Sequence, residues 1–200
     1  MAIKSDVSVI TISDEVAASA TFIAAAATPD TAFTLANTSF ASGGARNITV
    51  STVGTGDNAK TVTIVGTDVF GNTLTEVITS TGSAETVAGT KLFLTVTSAT
   101  CSAQYDANVS VGMGTLAAQA VGTTRTRLKG FSIVSGGTAG IVNFYNGSPE
   151  DGTILMKSRT IGTDNTTVDR TVPENGVLFN NGLVVQYSIG IIDMMTMFHA

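Results

Sequence analysis

From Phe33 onward the chain is cut into short alternating runs by clusters of Gly, Asn, Asp and Pro, and that punctuation is the signature of antiparallel strands joined by tight turns. Asn47 to Val53, Lys60 to Thr67, Leu74 to Thr79, Lys91 to Thr97 and Asn108 to Gly112 are the first series. Leu128 to Val134, Gly140 to Asn146, Thr153 to Ser158, Thr166 to Val172, Gly176 to Phe179, Leu183 to Tyr187 and Ile191 to Phe198 form a second. Asp68 to Asn72 reads as a hairpin connection in which Gly71 takes positive φ without steric cost. Gly136-Gly137, Asn146 to Pro149, Pro173 to Gly176 and Asn180 to Gly182 read as turns in the second series.

Composition points the same way. Thr, Ser, Gly, Ala and Val fill positions that Glu, Lys, Arg and Leu occupy in helical proteins, and only 12% of residues are charged, against roughly 25% in an average soluble domain. The expected fold is all-β: two small antiparallel β-sandwich units, Ig-like or jelly-roll-like, with an extended N-terminal segment. The expected division is an arm over 1–32, a sandwich over 33–118 and a second β-rich domain over 119–200. Its boundary lies in Thr115 to Thr124, which lacks strong alternation and reads as a linker. Val7 to Ile12 is a strand candidate, whereas Val16 to Ala27, rich in alanine, suits helix and extended structure equally.

The expected core is Ile48, Val50, Val62, Ile64, Val77, Phe93, Leu94 and Val96 in the first unit. In the second it is Phe131, Ile133, Val142, Phe144, Ile154, Leu155, Phe179, Val184 and Tyr187.

The inventory for catalysis is poor, and no catalytic residue, cofactor or metal ligand is assigned. The single histidine, His199, stands next to the last residue, where a triad or a metal site would need a second chain to hold it. Asp57, Asp68, Asp106, Glu150, Asp151, Asp164 and Glu174 sit beside turn residues, where carboxylates cap backbone groups. Asp164 to Asp169 suggests calcium ligands but lacks the spacing and glycine of an EF-hand loop. Gly54 to Gly56 and Ser135 to Gly137 are followed by strand patterns, not by the helix a phosphate loop needs. Cys101 excludes a disulfide within one chain and reads as a small buried or half-buried side chain.

A net charge of -5 argues against nucleic acid, since phosphate binding requires clustered cations. Arg125, Arg127 and Lys129 alternate and are expected on one solvated strand face. Asp6, Asp14 and Glu15 interrupt the stretch a signal peptide would need, and no run reaches the roughly 18 apolar residues of a membrane span. Few charges leave a surface of hydroxyls and small apolar groups suited to meeting other protein. The C-terminal run Ile191 to Ala200 is the most suggestive feature. It either closes its own sheet or docks on a neighbour, and Met194, Met195, Met197, Phe198 and His199 are the candidate interface.

Arg46 to Val50, Thr61 to Asp68, Gly71-Asn72, Thr75 to Ile78, Lys91 to Phe93 and Val109 to Gly112 are together similar to a β module of tailed-bacteriophage virion proteins. Lys129 to Phe131, Gly140 to Gly147 and Gly152 to Leu155 resemble the small C-terminal β domains of the same class. The resemblance implies a structural virion component made in the host cytoplasm. The resemblance does not separate capsid decoration from tail or fibre parts; the expected role is a capsid decoration or cement protein, homo-oligomeric, with the major capsid protein or other virion proteins as partner. A tail, adaptor or head-fibre subunit is the alternative, as is a host-surface-binding module that uses its turn loops.

Overall fold

The computed structural model describes residues 6–13, 16–40, 44–173 and 175–200. Within them the regular structure is all β, with no helix. Fifteen strands follow in order: β1 (Ser8–Ser13), β2 (Ser19–Ala27), β3 (Ala45–Thr52), β4 (Thr61–Thr67), β5 (Thr73–Thr79), β6 (Thr86–Phe93), β7 (Thr95–Cys101), β8 (Val109–Gly122), β9 (Thr126–Ser135), β10 (Ala139–Asn146), β11 (Thr153–Ile161), β12 (Thr167–Thr171), β13 (Val177–Phe179), β14 (Leu183–Ser188) and β15 (Ile192–His199). The chain divides into two units, one of residues 16–117 and one that joins 6–13 to 118–200.

In the unit of residues 16–117, a three-stranded sheet β5-β4-β7 and a second sheet containing β8, β3 and β6 share one core. Ile48 and Val50 of β3, Val62 and Ile64 of β4, Phe93, Val96, Val109 and Val111 make it, each at most 1% exposed. This is a sandwich: each sheet turns one face of its period-2 alternation toward the other. β3 is buried on its other face too, where the polar Asn47 and Thr49 lie, and Arg46 at the start of the strand is buried as well. Arg46 donates from Nη1 to the Val16 carbonyl at 2.7 Å and from Nη2 to the Gly114 carbonyl. Asn47 accepts the Leu116 N–H at 2.9 Å and donates to the Gly89 carbonyl at 3.0 Å, so one side chain ties β3 to the strands beside it.

In the other unit, one sheet runs β1-β15-β9-β12, with β13 also on β9, and β11-β10-β14 with the end of β8 makes the opposing layer. Phe131 of β9 and Phe144 of β10 meet across the layers with ring centroids 5.0 Å apart. The first described strand therefore pairs with the last, in an unbroken antiparallel register from Ser8 opposite His199 to Ser13 opposite Met194.

Several expectations are corrected. The arm over 1–32 does not stand apart, because β1 joins β15 and β2 joins β8. Val16 to Ala27, open between helix and strand, is a strand from Ser19, where Gly112 permits close approach: a Cβ there would lie 2.2 Å from the Ser19 carbonyl oxygen. Thr115 to Thr124 is no linker. Its residues to Gly122 continue β8, and with Ala117 and Ala118 at most 1% exposed its non-alternating sequence is that of a doubly buried strand.

Lys91 to Thr97 is not one strand. It breaks at Leu94, so that β6 pairs with β3 and β7 with β4. Val77 and Leu155, expected in the core, are 57% and 45% exposed. Each is adjacent to another apolar residue, Ile78 or Ile154, and the pleat lets only one of two neighbours face inward. Leu94 and Ile154 are half-buried. The Pro173 to Gly176 turn includes Glu174, which lies outside the described residues, as do Asp14 and Glu15.

β15 is flanked on both sides, by β1 and by β9. Removing the last seven residues should therefore unfold the unit that contains them, not release a folded monomer. The expected result in a urea titration followed by far-UV circular dichroism is loss of that unit's cooperative transition.

Candidate interaction face

The registers of β1, β15, β9 and β12 align their side chains in rows across four strands. Two rows point into the core: Ile10, Met197, Phe131, Arg170, and Ile12, Met195, Ile133, Val168, with Arg170 exposed at the sheet's edge. Alternation puts three other rows on the outer face. They are Val9, Phe198, Gly130, Thr171; Thr11, Thr196, Ser132, Asp169; and Ser13, Met194, Val134, Thr167. Asp169 is the one charged side chain among them. Val9 is 58% exposed, Met194 43% and Phe198 41%.

Gly130 shapes this face. A Cβ there would lie 2.9 Å from the Arg170 carbonyl oxygen, so β9 and β12 approach closely only because that position carries no side chain. A hollow of about 340 Å³ opens at this point, walled by Phe198 on one side and by Asp169 and Thr171 on the other. The face is a shallow, mostly apolar and hydroxyl surface with a dimple whose lining also includes Lys129, Asp169 and Arg170, and it is chemically suited to contact.

The candidate interface residues are split by this geometry. Met194 and Phe198 look outward, Met195 and Met197 are fully buried and hold β15 to the core, and His199 is half-buried at the strand end. Met195 and Met197 are therefore corrected from interface to core, because adjacent residues of a strand point to opposite faces and these two alternate with the outward Met194 and Phe198. Val9, Gly130 and Val134 escaped sequence reading. The alternating Val9 and Thr11 was visible, but the register that sets Val9 beside Phe198 joins opposite ends of the chain.

Comparison with protein-family models, with curated proteins and with solved structures finds no match to this chain.

The other side chains considered for chemistry are placed as follows. Lys129 and Arg127 both donate to the Asn175 carbonyl, at 3.1 and 3.4 Å, and Arg125 precedes the strand in an exposed turn. Asp164 lies in the turn before β12, Asp169 lies on β12, and the described residues hold no group of three His, Cys, Asp or Glu side chains that could hold a metal ion. Burial pushes the Cys101 thiol up to about 11, which keeps it protonated and unreactive at neutral pH. Asp68 accepts the Phe70 and Asn72 N–H groups at 2.9 and 2.8 Å and closes the β4–β5 hairpin.

Asp57, Lys60 and Asp106 do come together, with the Lys60 ammonium 2.9 Å from Asp57 and 2.8 Å from Asp106. Asp57 is fully buried and also accepts the N–H groups of Asp106 and Ala107, at 2.8 and 3.3 Å. The group joins the turn before β4 to the turn before β8. Burial alone would raise the Asp57 carboxyl, but the Lys60 ammonium and the two N–H groups overcome it and hold the carboxyl below its ordinary value of 3.8. A carboxyl lowered in this way stabilises the fold above its ordinary value and gives that stability up as pH falls through the lower, folded-state value. Asp57→Ala should cost about 2 kcal/mol at neutral pH by leaving those two N–H groups without an acceptor. Urea midpoints measured between pH 7 and pH 3 should fall less steeply in the variant than in the parent chain.

Proposed function

We propose that this chain is a structural subunit of a tailed-bacteriophage particle, a capsid decoration or cement protein that binds the head through protein-protein contact and performs no catalysis. One observation carries the contact role: the outer face of the β1-β15-β9-β12 sheet sets three rows of four residues toward solvent with Asp169 as their one charge. The virion assignment is supported by the resemblance of the segments between Arg46 and Leu155 to β modules of that class.

Magnitude bears on how such a face would act. Four strands about 4.8 Å apart and three rows about 7 Å apart make a patch of roughly 300 to 400 Å². A stable pairwise interface buries roughly 800 Å² on each partner, so this face alone would give a weak contact. A decoration protein works within that limit, since many copies bound to one lattice add small contacts, and linked copies gain avidity without any new interaction.

Quantitative mass spectrometry of purified particles tests the reading. A copy number matching the capsomers of the head is the expected outcome. A handful of copies would transfer the chain to the tail or a fibre, and absence from particles would remove the proposal. Phe198→Asp, at an exposed position, should leave the melting transition in place and lower occupancy on particles about tenfold, as expected for a charge set into an apolar contact.

A further inference from the structure

β11 ends its sheet. Its one sheet neighbour is β10, and among the described residues the backbone of 153–161 makes no hydrogen bond outside that pairing. A strand so placed offers its outer N–H and C=O groups to a chain that lies beside it. Alternation divides its side chains. Met156 faces inward, opposite the fully buried Phe144, while Lys157 and Arg159 are exposed on the other face.

Beside this edge a cavity of about 360 Å³ opens between β11 and the end of β12, with Phe131, Met156 and Val177 in its apolar lining and Lys157, Arg159 and Arg170 as its cations. Among the described residues none of the three is in an ion pair; the ion pairs there belong to Lys60. Arg170 gives one N–H to the Asp169 backbone carbonyl at 2.9 Å. Across β10, Lys157 lies opposite Asn143 and Arg159 opposite Ile141, so no cross-strand carboxylate answers them. Cations on an edge strand guard it against pairing with a like strand. The same charges attract a strand of opposite sign.

We propose that this edge and cavity bind an extended acidic segment of another protein, with Asp or Glu at positions i and i+2 and a large apolar side chain between them. Lys157 and Arg159 stand two residues apart on one face, about 7 Å, which is the repeat of alternate side chains on a neighbouring strand. On such a strand the side chain between two carboxylates points the other way, toward Met156 and the cavity. The edge supplies main-chain bonds, the cations select charge and the cavity selects an apolar residue. The occupant is foreign: the chain's 15 acidic residues include no two that are two positions apart, so a second copy does not carry the pattern. The inference holds or fails independently of the virion reading, because its test needs no particle.

The test uses the full chain and three fluorescent peptides: Ser-Glu-Leu-Glu-Leu-Thr, the same peptide with Gln for both Glu, and the reordered Ser-Leu-Glu-Glu-Leu-Thr. The first should bind about tenfold more tightly than the Gln peptide in low salt, as a few screened ion pairs provide, and more tightly than the reordered one. Its binding should slow amide exchange at residues 153–161. Lys157→Gln combined with Arg159→Gln, both at exposed positions, should keep the melting transition and erase the preference for Glu. Equal binding of the first two peptides, no binding of the first, an unchanged preference in the double variant, or protection elsewhere than 153–161 would overturn the proposal. Equal binding of the first and third, or displacement of the first by inorganic phosphate at equal concentration, would replace the extended segment by a small anion. A concentration-dependent dimer of the unmodified chain with 153–161 protected would overturn the choice of a foreign occupant.

Discussion

Each strand must pair its backbone, and one unit of this protein meets that demand only when its last strand arrives. β15 takes β1 on one side and β9 on the other, and its Met195 and Met197 are fully buried. The N–H of Arg127 donates to the Ala200 carbonyl at 2.6 Å and that of Ala200 to the Arg127 carbonyl at 2.9 Å, which extends the ladder past the strand end. The exposed face follows from this arrangement, since the register that buries two methionines turns Met194 and Phe198 outward.

The same demand explains the use of polar groups inside the other unit. β3 is covered on both faces, so its Arg46 and Asn47 are directed to neighbouring carbonyls and N–H groups in place of water. Asp57 is buried with an ammonium and two N–H groups around it, and the Tyr105 hydroxyl lies 2.9 Å from that of Ser80. These are fastenings between turns. Their chemistry is spent on backbone groups and on one another.

Much of the strand content could be read directly. The hairpin at Asp68 to Asn72 has Gly71 at φ +86°, as its turn chemistry requires, and Ile48, Val50, Val62, Ile64, Phe131, Ile133, Val142 and Phe144 are all buried. The failures share one cause. At Val77 and Leu155 two apolar neighbours compete for the inner face, and at Leu94 a continuous apolar run changes sheet; in each case alternation along one segment does not say which partner it will meet. The candidate face was half legible. Met194 and Phe198 were singled out as apolar residues near the chain end, whereas Gly130 and Val9 acquire their roles only from strands far away in sequence.

Local chemistry thus determined the all-β class, most strand positions and the glycine-bearing turns, because propensity, period-2 alternation and positive φ are properties of a few consecutive residues. Tertiary structure decided which strands are neighbours, that β1 closes on β15 and which side of each strand meets solvent. Those outcomes depend on register between segments as distant as Ser8 and His199, and register is settled by the sum of many pairings that no single segment contains.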